Sequence, residues 1–314
     1  MKKILVIFIL FLAIIAGVGY CISPKRVQEE SGNKIKIEHY MGETEVIENP
    51  KKVVVFDYGI VDVLDNSGIN IIGLPKESLP KFLEKYSDNK YVNVGSLKEP
   101  NLEKLYEIKP DLIIISGRQE PFYEQLSKIA PTVALKTNSD DYMKSFKVNL
   151  DTLGNIFSKK EIFKTEFDKI ENSLKEIKEK VQDQNLNALV ILSNNGKLSA
   201  YGLKSRFAII YDYFGFKPVE DIAVSTHGSK INFEYILEKN PDYIFIVDRS
   251  AVVGGDISAN KAFDNDIIKA TKASQNGNII FLDSEVWYTA TGGLKSTNKM
   301  VEEIRSSIKW TYLP

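Results

Sequence analysis

Five arginines stand among 41 basic residues, at Arg26, Arg118, Arg206, Arg249 and Arg305, and the other 36 are lysines. A surface that needs only solubility is served by lysine, so the three arginines in the middle of the chain, Arg118, Arg206 and Arg249, are candidates for planar, multi-donor recognition. A single cysteine, Cys21, and two histidines, His39 and His227, exclude a disulfide framework, a Cys-rich zinc site and an iron-sulfur cluster by counting. Metal chemistry would have to use oxygen donors, with at most two imidazoles. Three polar segments stand out. Ser205-Arg206-Phe207 reads as the opening of a helix that continues to Phe214, where an Arg in the first turn opposes the helix dipole and suits an anion site. Ser225-Thr226-His227-Gly228 reads as a polar loop, whose histidine is either a surface residue or a ligand. Val286-Trp287-Tyr288-Thr289 and Thr291-Gly292-Gly293 precede the last helix; the glycines allow close approach to a ligand or make a simple turn. Tyr288 is one of 15 tyrosines, so spacing alone does not single it out. No G-x-S-x-G, H-E-x-x-H or G-x-x-x-x-G-K-[ST] motif occurs, and the chain reads as a binding protein rather than an enzyme.

The elements that position these residues follow α/β grammar. Short apolar runs at Val53 to Phe56, Ile69 to Leu74, Leu112 to Ile115 and Thr132 to Leu135 alternate with amphipathic stretches, which predicts a largely parallel sheet. From Ser158 to Gln184, Ile162, Phe163, Phe167, Ile170, Leu174, Ile177 and Val181 recur at helical spacing with no Gly or Pro, so one long helix is expected. The alternation resumes at Ala188 to Leu192, Tyr243 to Val247 and Ile279 to Leu282, and ends in an amphipathic helix from about Lys295 to Ile308. The expected organisation is a lobe over 34–157, a connecting helix over 158–184 and a second lobe over 185–310. An internal repeat supports two lobes: residues 101–118 align without gaps to residues 232–249, with 8 of 18 positions identical at an offset of 131. An Asn N-cap, a first-turn Glu, a closing Pro-Asp and strand isoleucines account for most identities. The arginine that ends each copy is not required by that grammar. It falls just past the strand's C-terminal end, the edge where open α/β sheets bind ligands.

The 41 basic and 42 acidic residues give a net charge of -1, which supplies no drive toward nucleic acid or an acidic membrane surface. Lys2 and Lys3 followed by an uncharged apolar run from Ile4 to Val18 read as an export signal over 1–20, too short for a spanning helix. Cys21 stands where a bacterial lipoprotein signal places its lipidated cysteine, although Tyr20 is bulky for that position. Cleavage after residue 20 removes two lysines and no acids, leaving 39 basic against 42 acidic residues and a net charge of -3. Residues 21–33 then read as a flexible tether.

Taken together, NPKKVVVFDYG at 49–59, SRF at 205–207, THG at 226–228, NPDYIFIVDR at 240–249 and WYTATGG at 287–293 make the chain resemble the iron-siderophore-binding lipoproteins of bacterial ABC importers. The likeness is strongest to the ferric-catecholate binders of the enterochelin and petrobactin type, and runs from about Ile35 to Ile308. It implies two α/β lobes joined by a single long helix, the helical-backbone (class III) periplasmic-binding-protein fold. It also implies capture of a ferric catecholate between the lobes by Arg118, Arg206 and Arg249, with His227 and Tyr288 as direct iron ligands. The transported ferric siderophore would be the ligand, with no intrinsic cofactor. Glu103 and Glu234, at matching repeat positions, would dock to an ABC permease working with its ATPase. By the same resemblance the protein is an exported monomer, in the periplasm or on the outer face of the cytoplasmic membrane, held there by lipid on Cys21. A haem or cobalamin binder on the same fold is the competing reading, since Tyr and His also ligate haem.

Overall fold

The computed structural model describes residues 32–139, 141–225 and 227–309. The expected export signal, Cys21 and all but the last two residues of the tether lie outside the described residues, as does Thr226. Among the described residues no helix is long and apolar enough to cross a membrane.

A hairpin of β1 (Lys34–His39) and β2 (Gly42–Ile47) precedes the first sheet. That sheet contains β3 (Val53–Val55), β4 (Gly73–Leu74), β5 (Val92–Asn93), β6 (Leu112–Ile115) and β7 (Thr132–Ala134), all parallel, in the order β5-β4-β3-β6-β7. Val53, Val54, Val55 and Leu112 to Ile115 are all fully buried, as expected of strands covered on both faces. Helix α1 (Tyr58–Asn66) follows β3, with Asp57 Oδ1 accepting from Ile60 N as its N-cap. Helix α2 (Leu102–Ile108) leads into β6, and α3 (Tyr142–Ile156) closes the first lobe.

The long connecting helix, α4, runs from Lys160 to Asp183, 24 residues or about 36 Å, one to two residues inside the expected span at each end. Phe163, Phe167, Ile170, Leu174, Ile177 and Val181 make its buried stripe. Ile162, expected on that stripe, is 47% exposed, because it lies one position off the apolar seam.

The second sheet has β8 (Asn187–Asn194), β9 (Lys197–Tyr201), β10 (Lys217–Pro218), β11 (Ser229–Ile231), β12 (Tyr243–Asp248) and β13 (Ile279–Leu282). Its main path is β11-β9-β8-β12-β13, with β10 also pairing β8. β8, β10, β12 and β13 are parallel, whereas β9 runs antiparallel to both of its neighbours, β8 and β11, so this sheet is mixed. Helix α5 (Phe233–Lys239) leads into β12, and α6 (Leu294–Ser307) packs on α1 and α4. One apolar core runs from the hairpin through the inner faces of both sheets and the connecting helix. The outer face of each sheet has its own smaller core.

The sequence repeat is a structural one. Asn101 caps α2 by accepting from Lys104 N at 2.9 Å, and Asn232 caps α5 by accepting from Tyr235 N at 2.9 Å. Lys109 and Asn240 end those helices in the left-handed conformation, with φ 48° and 41°. Asp111 then accepts from the backbone of Lys51 and Lys52, and Asp242 from Asn187 N, tying each strand to its neighbour. Packing and capping thus explain the shared residues up to the strand ends. They leave Arg118 and Arg249 unexplained.

Candidate functional site

Arg249 is the first residue past β12 and Arg118 the third past β6. Both line one cavity of about 500 Å³, together with Glu77, Ser78, Leu97 and Lys98 from the first lobe and Val252, Val253, Tyr288 and Thr289 from the second. An adjoining cavity of about 670 Å³ shares Arg249 and Tyr288 and adds Tyr201, Arg206, His227 and Lys230. A third, of about 390 Å³, shares Arg206 and reaches Thr137, Asn138 and Tyr142 of the first lobe. The three form one cleft between the lobes. Among the described residues, seven cationic side chains line it, Lys98, Arg118, Lys197, Lys204, Arg206, Lys230 and Arg249, against a single carboxylate, Glu77. In a chain of net charge -1 this is a strong local excess, and it gives the cleft a positive potential. Another cavity, of about 630 Å³ beside β1 and the start of α4, has Lys36, Lys159 and Lys160 against Glu48 and Glu161, an excess of one charge, so it lacks that character.

Tyr288 is the centre of the cationic cluster. Arg249 Nε donates to its Oη at 2.7 Å, and Arg206 Nη2 donates to its carbonyl oxygen at 3.2 Å. The Arg206 guanidinium also lies over the Tyr288 ring, 4.1 Å from the centroid, and Arg249 is 5.7 Å from it. Burial alone would push the Tyr288 phenol up. The Arg249 hydrogen bond and the charges of Arg206 and Arg249 together outweigh it and hold the phenol below its ordinary value. Tyr201, buried in the same cavity and packed edge-on against Phe207, goes the other way: burial dominates and raises it, only partly offset by Arg206. Of the two phenols, Tyr288 is therefore the one prepared to ionise. Burial also lowers the Arg206 guanidinium from its usual value, with the charge of Arg118 across the cleft acting in the same direction. An arginine stays protonated even so.

Neighbours missed in the sequence set this geometry. Asn194, at the end of β8, accepts from Arg249 Nη1 at 2.9 Å and fixes the fork. Of the five N–H donors of Arg249, two are thereby used among the described residues. Nothing in the sequence distinguishes Asn194 or Tyr201, because strand pairing alone brings them to the cleft. Arg206 does not open a helix as expected: residues 203–208 form turns and the helix covers only Ile209–Asp212. The dipole argument for Arg206 therefore lapses, and its place is set by the Tyr288 carbonyl and ring. His227 is exposed, lines the cavity with Tyr288, and its backbone N donates to Ser225 Oγ at 3.2 Å. The following Gly228 has φ +72°, and a Cβ there would sit 2.7 Å from the Tyr201 ring, so glycine lets this loop lie on the cavity wall.

Gly292 and Gly293 serve contacts between lobes rather than ligand approach. A Cβ on Gly292 would lie 2.1 Å from Thr137 Oγ1, and one on Gly293 2.2 Å from Asp62 Oδ2. Asp62 Oδ2 accepts from Ser296 N at 2.7 Å, and burial pushes this carboxyl up to about 6. Glu103 and Glu234 are exposed in the first turns of α2 and α5 and line none of the three cleft cavities.

Residues 53–286 match the family described as periplasmic binding protein. The petrobactin-binding protein YclQ of Bacillus subtilis is 42% identical over 316 residues, covering 98% of this chain and 100% of the relative. Its crystal structure superposes with a TM-score of 0.85, covering 88% of this chain and 98% of that one. The periplasmic catecholate-siderophore binding protein VctP of Vibrio cholerae superposes with a TM-score of 0.83 at 36% identity, covering 87% of this chain and 100% of that one.

Proposed function

The chain belongs to the periplasmic binding protein family, and from that premise we propose that it captures a ferric catecholate siderophore in the inter-lobe cleft and delivers it to an ABC permease. The observation that carries this reading is the convergence of Arg118 from one lobe and Arg206 and Arg249 from the other on a cleft that, among the described residues, has seven cations and one acid. A ferric catecholate spreads negative charge over planar, oxygen-rich rings, which suits guanidinium forks that hydrogen-bond and stack. The petrobactin- and catecholate-binding relatives support the same ligand class.

Tyr288 and His227 are the protein's own iron donors in this reading. Ferric iron is a hard cation that favours a phenolate, and the two arginines around Tyr288 already bias its phenol toward ionisation. A siderophore with three bidentate arms fills six positions alone. One with two arms leaves two vacant, the number that a Tyr and a His complete. Tetradentate ferric complexes are therefore ligated directly, and hexadentate ones are held mainly by charge. Glu103 and Glu234 serve as permease-docking residues, one on each lobe. The lobes are assigned to 34–157 and 185–310 around a connecting helix at 158–184, with lipid attached at Cys21 after removal of 1–20.

Titration of Trp287 fluorescence against two-armed and three-armed ferric catecholates tests the assignment, since Trp287 is buried next to Tyr288. Quenching with a broad visible charge-transfer band is expected, and Tyr288→Phe should shift the colour of the two-armed complex only. A Soret band on haem titration, with no response to ferric catecholates, would replace this reading with a haem carrier.

A further inference from the structure

The segment bearing Tyr288 is fastened to the opposite lobe at both ends. Upstream, Glu285 opens a π-helical turn, Glu285–Thr289, and its Oε2 accepts from the backbone N of Lys81 at 2.9 Å. Downstream, Gly292 N donates to Tyr142 Oη at 2.9 Å, and Ser296 N donates to Asp62 Oδ2 at 2.7 Å. Between these fastenings Tyr288 stays bound to its own lobe, with its phenol on Arg249 and its carbonyl on Arg206. The downstream pair is buried and backed by the close contacts of Gly292 and Gly293. Upstream, Glu285 is the one side chain of the turn for which a bond to the first lobe is found among the described residues. π-helical turns are rare overall and are frequent at functional sites. Glu285 lines none of the cleft cavities, so it can influence a ligand only through its neighbours.

We propose that Glu285 is a positioning residue for Tyr288: held on the Lys81 N–H, it sets the placement of the phenol against a ligand-borne iron. This rests on the ferric-siderophore reading with Tyr288 as a donor. The test is a double-mutant cycle read with a two-armed ferric catecholate, by Trp287 quenching and by the phenolate-to-iron charge-transfer band. Glu285→Ala should weaken binding about tenfold, as loss of a hydrogen bond to a charged acceptor does, and dim the band. In the Tyr288→Phe background the same change should cost less than about twofold. Lys81→Pro cuts the bond from the other side. It removes the N–H at the first position of the short 3-10 helix Lys81–Ser87, directly after Pro80, where proline is tolerated, and should reproduce the Glu285→Ala phenotype. Glu285→Gln keeps an acceptor oxygen and should restore most of the affinity. Equal losses with and without the Tyr288 hydroxyl, or a silent Lys81→Pro, would overturn the proposal while wild-type binding stands. Wild-type protein that binds no ferric catecholate overturns the underlying reading and the proposal with it.

Discussion

Arg249→Lys separates the shape of a cation from its charge. The guanidinium is held at two points before any ligand arrives, by Tyr288 Oη at 2.7 Å and Asn194 Oδ1 at 2.9 Å. Lysine keeps the unit charge but places it on a flexible stem and cannot make both bonds while directing a fork into the cleft. A hydrogen bond to a charged group contributes about 1.5 to 3 kcal/mol, so loss of the ligand-facing fork should weaken ferric catecholate binding about ten- to a hundredfold. Because the charge count is unchanged, the slope of log Kd against log salt should match wild type. Arg249→Met, which removes the charge, should flatten that slope. The phenol of Tyr288 should titrate higher in Arg249→Met, since the hydrogen bond and one of its two stabilising charges are gone. Fluorescence titration at several salt concentrations and ultraviolet difference titration of tyrosine read these effects. Arg249→Lys within about threefold of wild type would refute the argument, because charge alone would then account for capture.

Two further outcomes follow from the contacts between lobes. Gly293→Ala forces a Cβ to within 2.2 Å of Asp62 Oδ2 and should lower stability by about 1 to 3 kcal/mol, measurable by chemical denaturation. The Asp62 carboxyl, raised by burial from 3.8 to about 6, binds its proton more tightly folded than unfolded. Stability conferred by the protonated form is therefore fully present below about pH 4 and lost as pH rises through about 6, an amplitude of about 3 kcal/mol set against whatever the other carboxyls contribute. Asp62→Asn should abolish this component, and denaturation midpoints across pH 4 to 7 that are identical in both proteins would contradict it.

The cationic cluster was legible because arginine is scarce in this chain: where 36 of 41 basic positions are lysine, each arginine carries information. The paired helix-strand units were legible because caps and strand isoleucines are local chemistry. The antiparallel hairpin of β8 and β9 went unread although Asn195-Gly196, at φ 51° and 77°, is a strong two-residue hairpin signal. The apolar run after Arg206 suggested a helix from Ser205, but Phe207, Ile209, Ile210 and Phe214 are buried through turns as much as through the four helical residues. Burial, not periodicity, selects them. Asn194, Tyr201 and Glu285 were illegible for a different reason. Each acts through a partner brought near only by the tertiary fold, and no local pattern records that.

Cleft charge also decides which form of a siderophore is taken up, if the ligand is a ferric catecholate. An iron-free catechol, like other phenols with a pKa near 10, keeps its protons at neutral pH, whereas ferric iron displaces them and leaves the chelate anionic. One extra negative charge at about 5 Å from a guanidinium, in an effective dielectric of about 20, adds roughly 3 kcal/mol of attraction before the cost of removing water. Arg206 is partly buried and Arg249 is fixed by Asn194 and Tyr288, so little rearrangement offsets that gain. Loaded siderophore should therefore outcompete its iron-free form by well over tenfold, and a redox-inert gallium chelate of the same charge should compete on equal terms with the ferric one. Iron-free ligand that displaces the ferric complex at comparable concentration would mean that shape, rather than charge, governs the cleft.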